Sequence, residues 1–312
     1  MDSNKIWDCV IVGGGAAGLS AALVLGRARR TTLLIDSGGQ SNLVSHGVGG
    51  LLGHDGQPPF ALYAAGRREL TAYPTVEVRE GEVVGGAQEG TGFTLELAGG
   101  SHEAARRVLL ATGMDYRYPQ VPGIAQRWGR SVFHCPFCHG WEVRDLALGV
   151  LDGSAAGVHR ALLLRMWSDD LTLFTNGPAE IDEADAQTLA AAGVTVDDRP
   201  VARLVGDAPD LSAVQFEDGS QRPCGGLLIP VTMFQRSGLA GQLGAEPAEP
   251  GPVAADAVEV DPMFQTGVPG LFAAGDLSAQ MPSVANAVAA GSKAAAAVVG
   301  SLISEPHNPP SR

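Results

Sequence analysis

Short apolar runs alternate with glycine-rich turns and helical patterns at the start of the chain. Residues 8–12 form a mainly apolar run, residues 13–18 are glycine-rich, and apolar residues then recur at helical spacing through Leu25. A second apolar run at residues 32–35 is closed by Asp36. This order predicts a strand, a crossover helix and a parallel strand, and therefore an α/β protein with a doubly wound sheet.

The α/β pattern continues through the first third of the chain. Residues 40–59 are rich in Gly, Asn, His and Pro, which predicts a loop of a length that is often functional. We expect a helix over Phe60–Tyr73, strands at Val76–Val84 and Phe93–Leu97, and a buried strand that ends in a turn at Val108–Gly113.

A second α/β pattern follows a proline-containing linker at Tyr116–Gly123. A stretch of Pro, Ala, Glu and Gly at residues 244–255 predicts a second linker that returns to the first half. The elements expected after Gly123 are strand Leu148–Leu151, helix Ala155–Trp167, strand Leu171–Phe174, a strand and turn at Leu271–Asp276, and a small-residue helix at Ser283–Val299.

Composition and charge narrow the class of protein. The 312 residues suffice for two domains of ordinary size, and 45% hydrophobic residues with 18% charged ones suit a packed α/β enzyme. A net charge of −13 opposes binding to nucleic acids and to anionic membranes. The sequence shows neither a secretory leader pattern nor an apolar run of the roughly 18 residues that a membrane span needs, so we predict a cytoplasmic protein.

The first glycine cluster has the G-x-G-x-x-G spacing of a dinucleotide-binding turn. Gly13, Gly15 and Gly18 lie between the predicted strand and helix, and Asp36 follows about 20 residues later. Such glycines permit a tight turn and a close approach of the backbone to a pyrophosphate, and the helix N-terminus attracts the anion. We predict that Asp36 accepts hydrogen bonds from the adenosine ribose of the bound cofactor.

The corresponding turn of the second half departs from this motif. Asp152 and Ser154 replace the first two glycines, and only Gly157 is kept. An aspartate there would place negative charge beside a pyrophosphate, and residues 175–183 contain no Arg to pair with a 2′-phosphate. The second domain is therefore predicted to have lost ordinary NADPH binding.

Cys135 and Cys138 form a C-x-x-C pair, whose spacing lets two thiols close a small disulfide ring. With no second C-x-x-C and no His pair at metal spacing, we expect no metal site. His134 and His139 flank the pair and could accept thiol protons near neutral pH, or be ordinary loop residues. Two further cysteines are predicted to be structural or incidental: Cys9 in a core strand and Cys224 in a loop.

Nearly the whole chain resembles the low-molecular-weight thioredoxin reductase family. The matching motifs are the first glycine turn, the Ala111-Thr112-Gly113 turn, the C-x-x-C pair and the stretch Val268–Asp276. The resemblance implies two Rossmann-like, three-layer domains of the thioredoxin reductase type, the second inserted in the first. An FAD-binding domain would comprise residues 1–116 and 246–312, and an NADPH-like domain with the cysteine pair would comprise residues 117–245.

The resemblance also implies an FAD cofactor, a homodimer and particular site residues. Asp276 is expected to hold the ribityl chain, and the helix after Ser283 is expected to end against the flavin ring near Val284. The predicted catalytic residues are Cys135, Cys138, His139 and His134. The predicted FAD-binding residues are Gly13, Gly15, Ala16, Gly18, Asp36, Gln40, Asn42, Val83, Ala111, Thr112, Gly113, Gly275, Asp276 and Val284.

Two departures from the thioredoxin reductase pattern point to one branch of this family. His139 stands where thioredoxin reductases have an Asp after the second cysteine, and the NADPH motifs are missing. The chain looks closer to the dithiol oxidases of gliotoxin and holomycin biosynthesis, which have a similar C-x-x-C-H segment and lack NADPH use. The loop at residues 46–56, followed by Pro59, also resembles that branch.

Our leading hypothesis is that a substrate dithiol attacks the Cys135–Cys138 disulfide while His139 assists proton removal. By family analogy Cys135 faces the substrate, Cys138 lies next to the flavin, and oxygen accepts the electrons to give hydrogen peroxide. One alternative is a reductase of thioredoxin or a similar protein. Its electrons would come from ferredoxin, from a free flavin or from a nicotinamide cofactor bound in an unusual mode. Another is a non-catalytic flavin-containing redox sensor.

Overall fold

The computed structural model describes residues 5–179 and 181–303, and the chain divides into two compact units. Unit 1 comprises Met1–Leu43, Pro59–Tyr116 and Thr232–Arg312, and unit 2 comprises Val44–Pro58 and Arg117–Val231. The predicted insertion of a second domain into the first is thus present in the fold.

Unit 1 is built on a mixed sheet. Its strands are β1 (Ile6–Val12), β2 (Thr32–Asp36), β3 (Val76–Glu80), β4 (Val83–Glu89), β5 (Gly92–Leu97), β6 (His102–Leu110), β7 (Met114–Arg117), β16 (Thr232–Gln235) and β17 (Leu271–Ala273). Its helices are α1 (Ala16–Arg27), α2 (Pro59–Leu70), α6 (Leu239–Gln242) and α7 (Val284–Ser301).

Among the described residues, the main sheet of unit 1 has seven strands in the order β3-β2-β1-β6-β5-β4, with β17 paired to β6. Strands β3, β2, β1, β6 and β17 pair in parallel, whereas β4, β5 and β6 pair antiparallel. Alternate residues of β1 enter cores on opposite faces, because Val10 packs in one cluster and Ile11 in the other. Burial on both faces explains why β1 is continuously apolar.

Small residues bring α7 directly against α1. A Cβ at Gly291 of α7 would overlap the carbonyl oxygen of Ala17 in α1, so only glycine allows this approach. Ala294 and Ala295 are fully buried in the same cluster. The small residues of α7 therefore allow this helix to pack closely against the start of α1.

Unit 2 contains a parallel sheet with an added antiparallel one. Its strands are β8 (Val132–Phe133), β9 (Leu148–Leu151), β10 (Leu171–Phe174), β11 (Val194–Asp197), β12 (Val201–Val205), β13 (Ala213–Phe216), β14 (Gln221–Pro223) and β15 (Gly226–Leu228). Its helices are α3 (Pro136–His139), α4 (Ala155–Leu164) and α5 (Glu183–Ala191). In the described part of unit 2, the parallel strands follow the order β11-β10-β9-β15-β8, and β12-β13-β14 form a three-stranded antiparallel sheet.

Most of the predicted elements are confirmed, with shifts at some ends. The strands at 148–151 and 171–174 have the expected bounds. The segment Val76–Val84 was predicted as one strand but is two, because the chain leaves β3 after Glu80 and enters β4 at Val83. The helix from Pro59 ends at Leu70 rather than Tyr73, and α4 ends at Leu164 rather than Trp167.

The unit boundaries differ from the predicted ones in two places. The chain returns to unit 1 at Thr232 rather than at residue 246, since β16 pairs with β7 and Met233 pairs with Ala254. Residues 44–58 belong to unit 2, where Gly49 lies against the backbone of Cys138. No helix within residues 5–179 and 181–303 is long and apolar enough to cross a membrane.

Candidate active site

Several predicted cofactor residues meet at one edge of the sheet in unit 1. Strands β1, β2, β6 and β17 are parallel. Gly13 directly follows β1, and Ala111 directly follows β6. Asp36 is the last residue of β2, and Gly275 lies two residues after the end of β17. In open α/β sheets the crevice beyond these ends binds ligands. The sequence motifs that lie far apart along the chain are therefore neighbours in the fold.

The first glycine turn is tightly packed on its inner side. A Cβ at Gly13 would overlap the carbonyl oxygen of Ala111, and one at Gly18 would overlap the carbonyl oxygen of Gly13 itself. The Gly14 N–H donates to Oδ1 of Asp36 at 3.0 Å. These contacts explain why glycine is required at positions 13 and 18.

The outer side of the same turn is open and suits an anion. A Cβ at Gly15 would have only the Cγ of Gln40 within 4 Å, at 3.6 Å. Helix α1 begins after Gly15 with no side-chain cap and no acidic residue in its first turn. Its N-terminal N–H groups and dipole can therefore receive a pyrophosphate, so the residues present fit a dinucleotide such as FAD.

Asp36 is buried at the end of β2 and is held by several donors. Gly38 N–H donates to Oδ1 at 3.2 Å, the Gln40 amide donates to Oδ2 at 3.1 Å, and the Arg67 guanidinium forms an ion pair with the same carboxylate. The carboxylate is thus held at the end of β2, where the acidic residue of a dinucleotide site accepts hydrogen bonds from the ribose. Arg67 was not singled out from the sequence.

Asp276 lies in the 3-10 turn that follows β17. The Tyr116 hydroxyl donates to its Oδ2 at 2.9 Å. Burial raises the pKa of Asp276, while the bond from Tyr116 and the charge of Arg236 oppose that shift. A carboxyl group held in this way is a suitable hydrogen-bonding partner for the hydroxyls of a ribityl chain.

The remaining predicted cofactor residues have more varied surroundings. Asn42 accepts a hydrogen bond from the Tyr63 hydroxyl at 2.8 Å, and Val83 starts β4 with its side chain in the core. Ala16 and Val284 are the first residues of α1 and α7. Thr112 and Gly113 follow Ala111, and Gly113 has φ +71° with open space around it.

Cys135 and Cys138 are joined by a disulfide, with their Cα atoms 5.3 Å apart. The pair follows β8, and Pro136 starts the single turn of α3 that carries Cys138 and His139. Proline at this position favours a helical start and costs no hydrogen bond. In the described part of the chain, no group of three or more His, Cys, Asp or Glu side chains is arranged to hold a metal ion.

The other two cysteines lie away from this chemistry. Cys9 and Cys224 are free and buried. Burial raises the pKa of both thiols, that of Cys224 to about 12. A buried thiol that stays protonated is a poor nucleophile, so these two cysteines are structural.

Both histidines beside the disulfide are largely buried and neutral at neutral pH. Burial, together with the nearby His139, lowers the pKa of His134 to about 4. Burial is also the main cause that lowers the pKa of His139. The backbone carbonyls of Cys135 and Gly129 oppose this shift, because they favour the protonated ring. Neutral imidazole is the form that accepts a proton, so His139 is in the state that a general base needs.

The segment at residues 44–58, which we call the 44–58 loop, packs on the cysteine turn. A Cβ at Gly49 would lie 2.9 Å from the carbonyl oxygen of Cys138, so glycine allows the two backbones to touch. The Ser45 hydroxyl lies 3.3 Å from Nε2 of His139. The loop is therefore part of the surroundings of the cysteine pair within unit 2.

A cavity of about 210 Å³ lies beside Cys138 and His139 in unit 2. Its wall includes Arg130, His46 and Glu142. The volume is below the roughly 300 Å³ at the small end of ligand pockets, so it fits a small group rather than a whole ligand of drug size. Phe137 and Trp141, next to the disulfide, are 69% and 66% exposed.

The second glycine-type turn is filled by its own side chains. Asp152 follows β9 and is buried, and its Oδ1 accepts from the Ser154 N–H at 3.0 Å and from the Ser154 hydroxyl at 2.7 Å. Its other oxygen forms an ion pair with Arg160 of α4. The carboxylate thus takes a backbone donor that a nucleotide phosphate would need, and it adds negative charge at that point.

We expect Asp152→Ala to lower the free energy of unfolding by about 1–3 kcal/mol, because the partly buried Arg160 would lose its ion-pair partner and the Ser154 N–H would lose its acceptor. Urea denaturation of the purified protein measures this difference. Asp152→Asn, which keeps an acceptor for Ser154 but loses the charge, is expected to lose less stability. An Asp152→Ala protein with the wild-type urea midpoint would contradict this role.

Comparisons with known proteins agree with the geometry. Residues 7–291 match the family described as Pyridine nucleotide-disulphide oxidoreductase. The chain belongs to this family. It is a thioredoxin reductase-like thiol-disulfide oxidoreductase, and thus an enzyme of a class whose members are flavoproteins.

Individual relatives of this thioredoxin reductase-like enzyme cover almost all of it. Thioredoxin reductase tcpT of Claviceps purpurea is 32% identical over 301 residues, which are 93% of this chain and 92% of that protein. An oxidoreductase from Agrobacterium tumefaciens is 38% identical with a TM-score of 0.90, covering 96% of this chain and 99% of its own. HlmI is 39% identical with a TM-score of 0.89, covering 96% and 93%. The resemblance to the thioredoxin reductase type of fold and family is confirmed.

Proposed function

We propose that this enzyme is an FAD-dependent dithiol oxidase that works through the Cys135–Cys138 disulfide. The observation that carries the proposal is the second turn, where the Asp152 carboxylate accepts from the Ser154 N–H and pairs with Arg160. An ordinary dinucleotide turn keeps such an N–H for a phosphate. In a protein without an ordinary nicotinamide site, a dithiol that reacts at the cysteine pair can supply the electrons. The direction of electron flow is then from thiols to the cofactor.

The proposed reaction starts with the substrate dithiol. One substrate thiol loses its proton to His139 and attacks a sulfur of the disulfide, which forms a mixed disulfide and releases one cysteine thiolate. The second substrate thiol attacks the mixed disulfide, so the substrate leaves as a disulfide and Cys135 and Cys138 become thiols. The substrate is oxidised by two electrons and the cysteine pair is reduced by two.

The cysteine pair then has to be reoxidised, with loss of two electrons and two protons, before the next turnover. FAD held by unit 1 would supply the two-electron acceptor for this step and the route by which the electrons reach oxygen, with hydrogen peroxide as the product. The residues proposed to hold FAD are those of the first glycine turn, with Asp36 and Asp276 as hydrogen-bonding partners of its hydroxyl groups. The homodimer and the cytoplasmic location stay predictions.

A second candidate function is the reduction of a thioredoxin-like protein with electrons from a donor other than NADPH. The exposed rings of Phe137 and Trp141 beside the disulfide favour it, because aromatic side chains are common in protein interfaces. Relatives such as tcpT are named thioredoxin reductases. In this alternative the same cysteines react in the opposite direction.

An anaerobic titration of the purified yellow protein tests the oxidase proposal. The flavin absorbance is followed while a small dithiol, NADPH and NADH are each added to separate samples. The oxidase proposal expects bleaching by the dithiol, recovery of colour with formation of hydrogen peroxide on admitting air, and no rapid bleaching by either nucleotide. Rapid bleaching by NADPH or NADH would overturn our interpretation of the second domain.

A further inference from the structure

A tyrosine hydroxyl holds the carboxylate that is proposed to bond the ribityl chain of the cofactor. The Tyr116 hydroxyl donates to Oδ2 of Asp276 at 2.9 Å, although the two residues are 160 positions apart in sequence. Among the described residues, no other hydrogen bond to this carboxylate is present. A carboxylate offers about four acceptor positions, so its remaining lone pairs stay available to a ligand hydroxyl.

Asp276 lies beside the first glycine turn, because small residues allow a close approach of the chain there. Gly275, which precedes it, has φ +83°, and a Cβ at this position would lie 3.0 Å from the Cβ of Ala17. Ala17 belongs to the first turn of α1, whose N–H groups suit a pyrophosphate. The Asp276 carboxylate is thus part of the predicted cofactor edge of unit 1.

The Tyr116 side chain is held by its strand and by the core of unit 1. It lies in β7, which pairs with β16, and its ring packs against the core cluster that contains Leu277, the neighbour of Asp276. Arg236, directly after β16, donates to Oδ1 of Asp115 in β7 at 3.0 Å. The hydroxyl therefore has a fixed position from which it can hold Asp276.

The surroundings of this pair keep the hydroxyl a donor and favour a carboxylate that accepts. Burial is the main cause that raises the pKa of Tyr116, and the charge of Asp276 adds to it, so the hydroxyl stays protonated. Burial also raises the pKa of Asp276, but the bond from Tyr116 and the charge of Arg236 oppose that shift. An ionised carboxylate is the stronger acceptor for a ligand hydroxyl.

We propose that Tyr116 is a positioning residue for the cofactor, which holds the Asp276 carboxylate in the orientation that accepts hydrogen bonds from the ribityl hydroxyls of FAD. The inference rests on the proposed function in taking FAD as the cofactor. Tyr116 acts through Asp276 and does not itself contact FAD. Its effect should therefore be confined to the riboflavin part of FAD and be absent for the adenosine part, which Asp36 is proposed to hold.

Calorimetric titration of the full-length protein, freed of flavin, tests this role with FAD and with ADP, which lacks the riboflavin part. Tyr116→Phe, which keeps the ring, is expected to bind FAD about tenfold more weakly than the wild type and ADP equally well. Tyr73→Phe is the matched control, because the Tyr73 hydroxyl accepts from Arg27 and the residue precedes β3, at the opposite edge of the parallel strands. The control should change neither affinity.

The two ligands separate a local role from a general disturbance. Unchanged or tighter FAD binding in Tyr116→Phe would overturn the proposal. An equal loss for FAD and ADP would also overturn it, since the whole cofactor edge would then be disturbed. A wild-type protein that binds no FAD would contradict the proposed function itself, and this inference with it.

A double-mutant cycle separates an indirect role of Tyr116 from a direct contact. In a protein that already carries Asp276→Ala, Tyr116→Phe should cause no further loss of FAD affinity, because the hydroxyl has no carboxylate left to hold. A second tenfold loss in that background would mean that Tyr116 contacts the cofactor itself, and the positioning role would be wrong.

Discussion

Cys138→Ser is expected to slow anaerobic bleaching of the flavin by a small dithiol about 10³-fold or more. The residue is half of the Cys135–Cys138 disulfide, and a serine cannot form the sulfur–sulfur bond that the substrate attacks. The family resemblance assigns Cys138 to the flavin side, so the same change removes the group that passes electrons on. Stopped-flow absorbance of the flavin measures the rate.

The matched control for this prediction is Cys224→Ala. Cys224 is a free, buried cysteine of the same unit, and its raised pKa keeps it out of thiol chemistry. The flavin of Cys224→Ala should bleach at the wild-type rate, and circular dichroism checks that the variant is folded. Persistent bleaching in Cys138→Ser would end the proposed mechanism, because electrons would then reach the cofactor without the disulfide.

Much of the fold follows from local sequence patterns. The strand at residues 148–151 and the strand at 171–174 could be placed because each is a short apolar run on either side of a helical pattern. Helix α7 begins at Val284 as expected, since Ser283 caps it by accepting from the Asn286 N–H. These features depend on neighbours in sequence, which a linear pattern contains.

The features that sequence did not predict depend on contacts between distant residues. The return to unit 1 at Thr232 rests on pairing of β16 with β7, and the pairing partners are more than 100 residues apart. Ser45 near His139 and Tyr116 bonded to Asp276 are also long-range contacts. Arg160 is the exception, because it lies only eight residues after Asp152 and could have been suspected as its partner.

The two glycine-type turns show how one local geometry can serve different ends. In unit 1 a glycine at position 15 leaves open space in front of the first turn of α1. In unit 2 the turn keeps Gly157, whose Cβ would overlap the carbonyl oxygen of Asp152, but the carboxylate of Asp152 fills the outer side. The packing glycine is retained and Ser154 stands in place of the second motif glycine, which maintains the fold and supports the proposal that this turn no longer binds a pyrophosphate.

His139→Gln is expected to slow flavin bleaching by a small dithiol about 10²–10³-fold at neutral pH. Glutamine keeps a polar side chain of similar size but cannot accept a thiol proton. Burial lowers the pKa of His139, so in the wild type the base is already neutral above its depressed pKa and its contribution is constant from there upward. Below that pKa the imidazole becomes protonated, and the rate should fall as the pH falls.

The rate of His139→Gln should depend on pH differently from that of the wild type. This difference separates loss of the base from a general disturbance of the structure. Without His139 the reaction relies on substrate that is already thiolate, so its rate should rise with pH towards the thiol pKa of about 8.5. The difference between wild type and His139→Gln is therefore largest near neutral pH and shrinks in alkali. His159→Gln, at an exposed histidine of the same unit, should match the wild type throughout. A rate loss that is equal at every pH would assign His139 a structural role instead of that of a base.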